Sequence, residues 1–454
     1  MATAESRNTL SDAEIRKVAF ASAIGCTIEW YDFFLYNTFS ALVFNKLFFP
    51  SFDPLVGTML AFTGALVGYV ARPVAGVVFG HFGDRLGRKK MLILTLLIMG
   101  IGTFLIGCLP TYDSIGVWAP VLLLVLRVAQ GLGVGGEWGG AVLMAVEHSP
   151  PGRRGFYGSW PQVGVPAGLA LATGMVAIFS SLPGDSFIQW AWRVPFLLSL
   201  VLVGVGVYIR MKIMETPAFM RVQKTQTVSR VPFMDLIRKH PKQVVLGMGC
   251  RYIEGVGFNI YGVFVITYLA TMLKLPRTTA LLAVTLASIV MLFFIPMFGR
   301  MSDQFGRRKV FGTAAFLTGI LAYPAFWLMS TSGGNAFLVA LAVIVPFGIV
   351  YAAIYGPEAA LFSELFDTRV RYSGISFVYQ FSGIFASGLT PIIATALLRE
   401  GNGQPWLVAT YMLVVAIIST LSVFALKETA DLDLDVPSER FAAAAPAVRG
   451  GVGD

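Results

Sequence analysis

Two carboxylates stand three residues apart in Ile28-Glu29-Trp30-Tyr31-Asp32-Phe33-Phe34, inside an otherwise apolar run. On a helix that spacing puts Glu29 and Asp32 on one face, with Tyr36 one turn beyond Asp32. A charged side chain near the centre of a bilayer costs roughly 2.5–3.5 kcal/mol on insertion scales, so such a pair must face a polar cavity or partner cations. Burial favours the neutral acid and a neighbouring guanidinium favours the anion, so a carboxylate between those influences can load and lose a proton. Glu29, Asp32 and Glu137, the last in a glycine-rich stretch, are therefore candidates for proton exchange. The alternative for Glu29 and Asp32 is a permanent ion pair that ties their segment to a neighbour.

Cations of matching depth exist. Arg127 lies near Gln130 in one apolar segment, and Arg251 shares a helical face with Glu254 in another. A guanidinium in a low-dielectric cavity grips a carboxylate through two parallel hydrogen bonds. Arg127 is the first choice for contact with an anionic ligand and Arg251 the second. Arg72 precedes Pro73 and suits a structural lock on its own segment. Gln162 and Gln380 occupy corresponding places in two later segments and are candidates for lining the same pathway, as is Tyr36. The glycines around Glu137 fit close helix packing better than a phosphate loop, since no strand precedes them.

The elements that carry these groups follow from composition. The chain is 56% hydrophobic and 13% charged, more apolar surface than a water-soluble core can hide. Apolar runs recur with the length a helix needs to cross a bilayer, and period-two alternation of the barrel type is absent. Twelve spans are predicted, at 18–45, 55–79, 90–110, 117–145, 156–180, 190–211, 243–272, 279–298, 309–330, 336–362, 372–397 and 406–426. Most of the 34 Lys and Arg fall in the termini and in the loops on one side, which places both termini in the cytoplasm. These basic loops read as contacts with anionic lipid rather than nucleic acid. The three cysteines form no metal or redox spacing, and the three histidines cluster with nothing. No cofactor motif is present.

An internal repeat organises the whole. Gly80-His-Phe-Gly-Asp84-Arg85-Leu-Gly87-Arg88 returns in the second half as Gly299-Arg-Met-Ser-Asp303-Gln-Phe-Gly306-Arg307. Glu147, seven residues before Arg154, returns as Glu364, seven before Arg371. The chain reads as two parallel six-helix units at 18–211 and 243–426, joined by a cytoplasmic loop at 212–242. A segment at 1–17 leads in, and a tail at 427–454 reads as disordered. Asp84 and Asp303 sit where a carboxylate can accept N–H groups at a helix N-terminus and pair with an arginine across the half-interface. Such contacts form in one conformation and break in another, which suits a gate. The larger effect is expected at Asp84, because Gln304 stands where the first copy has Arg85.

The paired glycine–aspartate–arginine loops resemble the signature of the major facilitator superfamily. The Ile28–Phe33 stretch, Ala71-Arg72-Pro73, Arg127-Val-Ala-Gln130-Gly131, Gly135-Gly136-Glu137 and Glu364 before Arg371 are similar to the metabolite:proton symporter family, closest to its shikimate-transporter branch. The resemblance implies an all-α membrane protein of twelve transmembrane helices in a bacterial-type inner membrane. It also implies alternating access and uptake of a small organic acid with protons, the gradient being the only driving force. A proline/betaine-type osmolyte symporter is the alternative. A receptor or a membrane enzyme fits less well, and the oligomeric state is open.

Overall fold

A computed structural model describes the backbone of residues 12–50, 54–86, 88–135, 138–147, 149–150, 152–183, 185–212, 238, 240–366 and 371–430. Regular structure among them is helical, as expected where no water is present to satisfy backbone groups and each segment must bond internally. In the first half α1 is Asp12–Phe39, α2 Pro54–Leu86 and α3 Arg88–Cys108. Helix α4 comprises Trp118–Val134 and Trp138–Glu147, α5 is Arg154–Ser180 and α6 is Arg193–Lys212. The second half holds α7 (Pro241–Met272), α8 (Arg277–Phe305), α9 (Arg307–Thr331) and α10 (Ala336–Glu364). It ends with α11, which is Arg371–Gly383 and, past a π-helical turn, Thr390–Glu400, and with α12 (Trp406–Ala425).

Nine helices among the described residues are long and apolar enough to cross a membrane. Shorter apolar stretches, Ile93–Cys108 and Trp118–Val134, stand where the third and fourth spans were predicted. Helix α1, with its buried acids, completes the twelve. Large apolar side chains such as Phe293, Val125 and Leu421 point outward from the bundle, which suits a surface solvated by lipid. The two halves also share a backbone irregularity. A π-helical turn interrupts the first span at Ser40–Phe44 and the seventh at Ile260–Phe264, corresponding places in the repeat.

The halves meet along α5, which packs against α8 over much of its length and against α10. Near one end of this seam Thr173 and Thr285 share a hydroxyl–hydroxyl hydrogen bond of 2.7 Å. Phe34 of α1 stacks on Phe258 of α7 with ring centroids 4.9 Å apart, so the halves touch on both sides of the centre.

Within the first half, helix approach is set by small residues. A methyl group at Gly131 of α4 would lie 2.2 Å from the Gly68 carbonyl oxygen of α2, so only hydrogen fits there. Gly131→Val should therefore force α2 and α4 apart and destabilise the protein by about 1–3 kcal/mol. Thermal unfolding in detergent reads this, and an unchanged midpoint would contradict the close approach.

Candidate functional site

The central site is assembled from α7, α10 and α11, with contributions from α4 and α5 of the other half. Arg251 and Glu254, one helical turn apart on α7, form an ion pair through Nη1 and Oε2. The other Glu254 oxygen accepts a 2.8 Å hydrogen bond from the Tyr351 hydroxyl of α10. A second carboxylate, Glu358, lies 3.9 Å from Arg251 Nε through its Oε1. Its other oxygen is held only by a 3.5 Å contact from Gln162 Nε2 of α5. Tyr379 of α11 lies under the guanidinium, 4.1 Å from ring centroid to Cζ, and stacks on Trp138 of α4. The Trp138 indole N–H donates to Gln162 Oε1 at 2.9 Å, and Gln380 donates to the Gly135 carbonyl at 3.1 Å. One guanidinium and two carboxylates are thus enclosed by residues of both halves. All are buried.

Two prolines shape the approach. Pro161 and Pro357 lie inside α5 and α10, immediately before Gln162 and Glu358. Neither can donate to the carbonyl four residues back, so each helix lacks one backbone bond beside its polar side chain. Glu358 was not among the residues singled out from the sequence. The signal was an acid after proline, Tyr355-Gly356-Pro357-Glu358, inside the span predicted at 336–362.

The first-half candidates form a separate group. Arg127 of α4 donates from Nη1 to Gln130 Oε1 at 2.7 Å and from Nε to the Gly64 carbonyl at 3.3 Å. Gln130 in turn donates to Thr103 Oγ1 at 2.6 Å. The Arg127 guanidinium also lies 3.9 Å from the centroid of the Tyr36 ring, and the Tyr36 hydroxyl donates to the Ala61 carbonyl. The fork is largely occupied, leaving Nη2 without a hydrogen bond. Arg72 sits among Tyr69, Phe33 and Trp30 with Cζ 4.1, 4.3 and 5.5 Å from their centroids, in keeping with a lock on α2. Asp32 is fully buried beside Thr103 and Glu29. Among the described residues neither of its oxygens has a hydrogen bond of normal geometry, and the Thr103 hydroxyl is the donor that bears on it. Glu29 is buried on the same face, while Glu137 lies outside the described residues.

At the end that carries the repeated loops, a second network joins the halves. Asp303 of α8 accepts the N–H groups of Gly155 and Phe156, at 2.7 and 2.9 Å, at the first turn of α5. This is the helix-terminus contact expected from the sequence, and it is favoured by the α5 dipole. Arg307 binds Asp303 at 2.8 Å and grips Glu364 of α10 through Nε and Nη2 at 3.3 and 3.2 Å. Arg154 of the first half approaches Glu364 to 4.0 Å, whereas Arg371 donates to the Phe366 carbonyl. Here α5 and α8 are so close that a methyl group on Gly155 would meet the Gly299 carbonyl at 2.3 Å. The equivalent first-copy groups are not comparable. Gly87 lies outside the described residues, as do the surroundings of Gly80 and the side chains of Asp84, Arg85, Arg88 and Glu147.

The residues after α12 join this network. Glu428 accepts the N–H groups of Arg307 and Arg308, at 2.8 and 3.2 Å, capping α9. Gly306, at φ +96°, makes the turn and leaves room for that carboxylate. Thr429 donates to Glu364 at 2.7 Å. The tail expected at 427–454 is therefore docked through Ala430, and the rest lies outside the described residues. Burial would raise the Glu428 carboxyl, but N–H bonds from Thr429, Arg307, Arg308 and Ala430 outweigh it and hold it below the usual value. A lowered folded value means this cap contributes stability above the unfolded value and loses it as pH falls through the folded one.

Two family models match the chain, "Sugar (and other) transporter" over residues 18–242 and "Major Facilitator Superfamily" over 248–448. The shikimate transporter of Escherichia coli (strain K12) is 38% identical over 432 residues, covering 94% of this chain and 98% of that protein. The proline/betaine transporter of the same organism is 35% identical over 435 residues, covering 94% and 86%. Among solved structures, a D-xylose-proton symporter matches with a TM-score of 0.69 at 16% identity, covering 89% of this chain and 97% of that one.

Asp303→Asn should weaken the contact between the halves at the loop end. Charge-assisted hydrogen bonds contribute about 1.5–3 kcal/mol, so the opening equilibrium there should shift roughly tenfold or more. Spin labels at the exposed positions Arg153 and Arg300 would report a longer distance, and an unchanged distribution would remove Asp303 from the gate. Acidification should also loosen this end in the parent protein, and Glu428→Gln should blunt that response in the same measurement.

Proposed function

The chain belongs to the major facilitator superfamily, and on that footing we propose that it is a proton-coupled symporter that imports a small organic acid by alternating access. It is a multi-pass membrane transporter and not an enzyme, and its cargo is a small molecule. The observation that carries the proton reading is Asp32, fully buried in α1 with neither carboxylate oxygen in an ion pair or a well-formed hydrogen bond among the described residues. An ion left bare in that setting costs several kcal/mol, so the group holds a proton until water reaches it. Exposure to opposite sides of the membrane in turn then loads and unloads that proton. The driving force is the gradient, with no cofactor.

The organic-acid reading rests on Arg251, a buried guanidinium at the meeting of the halves whose neighbours α5, α10 and α11 separate or close as access alternates. Arg127, engaged by Gln130, Gly64 and Tyr36, serves better to fix α4 against α2 and α3. In this scheme the halves 18–211 and 243–426 rock about the α5–α8 seam, and the Asp303–Arg307–Glu364 network closes the cytoplasmic end. The bilayer is the inner membrane of a bacterial-type cell, with both termini in the cytoplasm. A zwitterionic osmolyte is the second reading, favoured by the 35% identity to the proline/betaine transporter.

Proteoliposomes with an imposed pH gradient distinguish the two readings when shikimate, succinate, benzoate and glycine betaine are offered in parallel. Shikimate or another acid should accumulate with internal acidification. Accumulation of glycine betaine alone would replace the acid reading, and uptake indifferent to the gradient would end the symport reading. Asp32→Asn should cut gradient-driven accumulation sharply while sparing substrate exchange, with a smaller effect from Glu29→Gln. Full accumulation by Asp32→Asn would release Asp32 from this role. Arg251→Lys keeps the charge but loses the planar fork, so it should weaken binding of the transported acid at least tenfold. The effect of Arg127→Lys should be smaller.

A further inference from the structure

Two carboxylates compete for Arg251, and they are held unequally. Glu254 is ion-paired with Nη1 and bonded to Tyr351. Glu358 has a 3.9 Å approach to Nε, a 3.5 Å contact from Gln162 and no hydrogen bond at Oε1. Resting on the anion site proposed above, we infer that Glu358 is a built-in occupant of that site: an incoming substrate carboxylate displaces it from Arg251, and Glu358 takes up a proton as it leaves.

The argument is one of charge. Around Glu358, α7 presents Arg251, Glu254 and Cys250, α11 presents Tyr379, and α5 presents Gln162. Its own helix adds Tyr351 and Tyr355, and α4 adds Trp138 through Gln162. Arg72 of α2 acts through its charge on Tyr379 and on Arg251. On α8 and α9, Asp303 and Arg307 are committed to the loop-end network with Glu364. One guanidinium therefore faces two carboxylates at close range before any ligand enters. A substrate anion makes three, and burying an uncompensated charge costs several kcal/mol. The least-bonded of the three is the one to be neutralised, and that is Glu358.

The step balances simply. A proton from the open side bonds to Glu358 Oε1, the Glu358–Arg251 ion pair breaks, and a substrate–Arg251 pair forms. Departure of the substrate to the other side reverses each change and releases the proton there. Gln162, whose amide reaches Glu358 from the other half, senses the change across the interface. Glu358 is in this sense a selector, excluding anions that arrive without a proton.

The test is proton uptake on binding, measured calorimetrically on purified protein in two buffers of different ionisation enthalpy. Shikimate, succinate, benzoate and glycine betaine serve as carboxylate probes. The parent protein should take up about one proton per bound carboxylate, and affinity should fall about tenfold per pH unit on the alkaline limb. Glu358→Gln should bind with little proton uptake and a flat pH profile, while Asp32→Asn should keep the parent uptake despite its loss of accumulation. Undiminished uptake in a folded Glu358→Gln, or binding by the parent without uptake, would overturn the inference. Failure of all four probes to bind would overturn Arg251 as a carboxylate site. The symport reading would then stand or fall separately, on gradient-driven uptake in proteoliposomes. Glu358→Asp, which keeps the acid on a shorter arm, should restore proton uptake if Glu358→Gln folds poorly.

Discussion

Charge carried into a hydrocarbon layer must bring its compensation with it, and much of this bundle is arranged around that rule. Arg72 and Arg127 are wrapped by aromatic faces, carbonyls and an amide. Arg251 is matched, and overmatched, by Glu254 and Glu358. Asp32 has no ion pair or well-formed hydrogen bond among the described residues, only the Thr103 hydroxyl beside it. These three solutions differ in what they permit. A guanidinium between rings stays where it is, whereas a carboxylate without a full complement of partners can change protonation state. In the reading proposed above, the fixed charges hold the helices and the poorly matched ones are left to move protons.

The same contrast separates the middle of the molecule from its loop end. At the loop end Asp303, Arg307 and Glu364 form short, well-directed bonds supported by backbone N–H groups. Bonds of that kind are strong while made and leave several groups unsatisfied once broken, so this end favours two discrete states over a continuum. The glycine contact between α5 and α8 sharpens the choice, because surfaces touching at backbone distance must separate as a whole. The two networks also share one helix, since α10 carries Glu358 and Glu364 less than two turns apart.

Much of this was legible in the residues. Periodicity and length located the spans, and the repeated glycine–aspartate spacing located the loop-end carboxylates. Helical geometry put Arg251 and Glu254 on one face, as the structure has them. What could not be read was partnership across long sequence separations. Nothing local reveals that Gly64, Gln130 and Tyr36 surround the Arg127 guanidinium. Glu358 passed unnoticed because an acid near the predicted end of a span resembles a boundary residue. Its depth is evident only when α5 and α7 are placed beside it. Glu428 was hidden by composition, since the polar, alanine-rich segment that follows obscures the four residues that dock.

The docking of Glu428 on α9 also fixes an order of events in biosynthesis. A chain emerging from the ribosome delivers α8, α9 and α10 to the membrane well before residue 428, so the α9 N-terminus waits for its cap, and Glu364 for its Thr429 bond, until the last span has been made. The Arg307–Glu364 pair can form without them. The end of the chain thus supplies the final bonds of a network whose other members precede it.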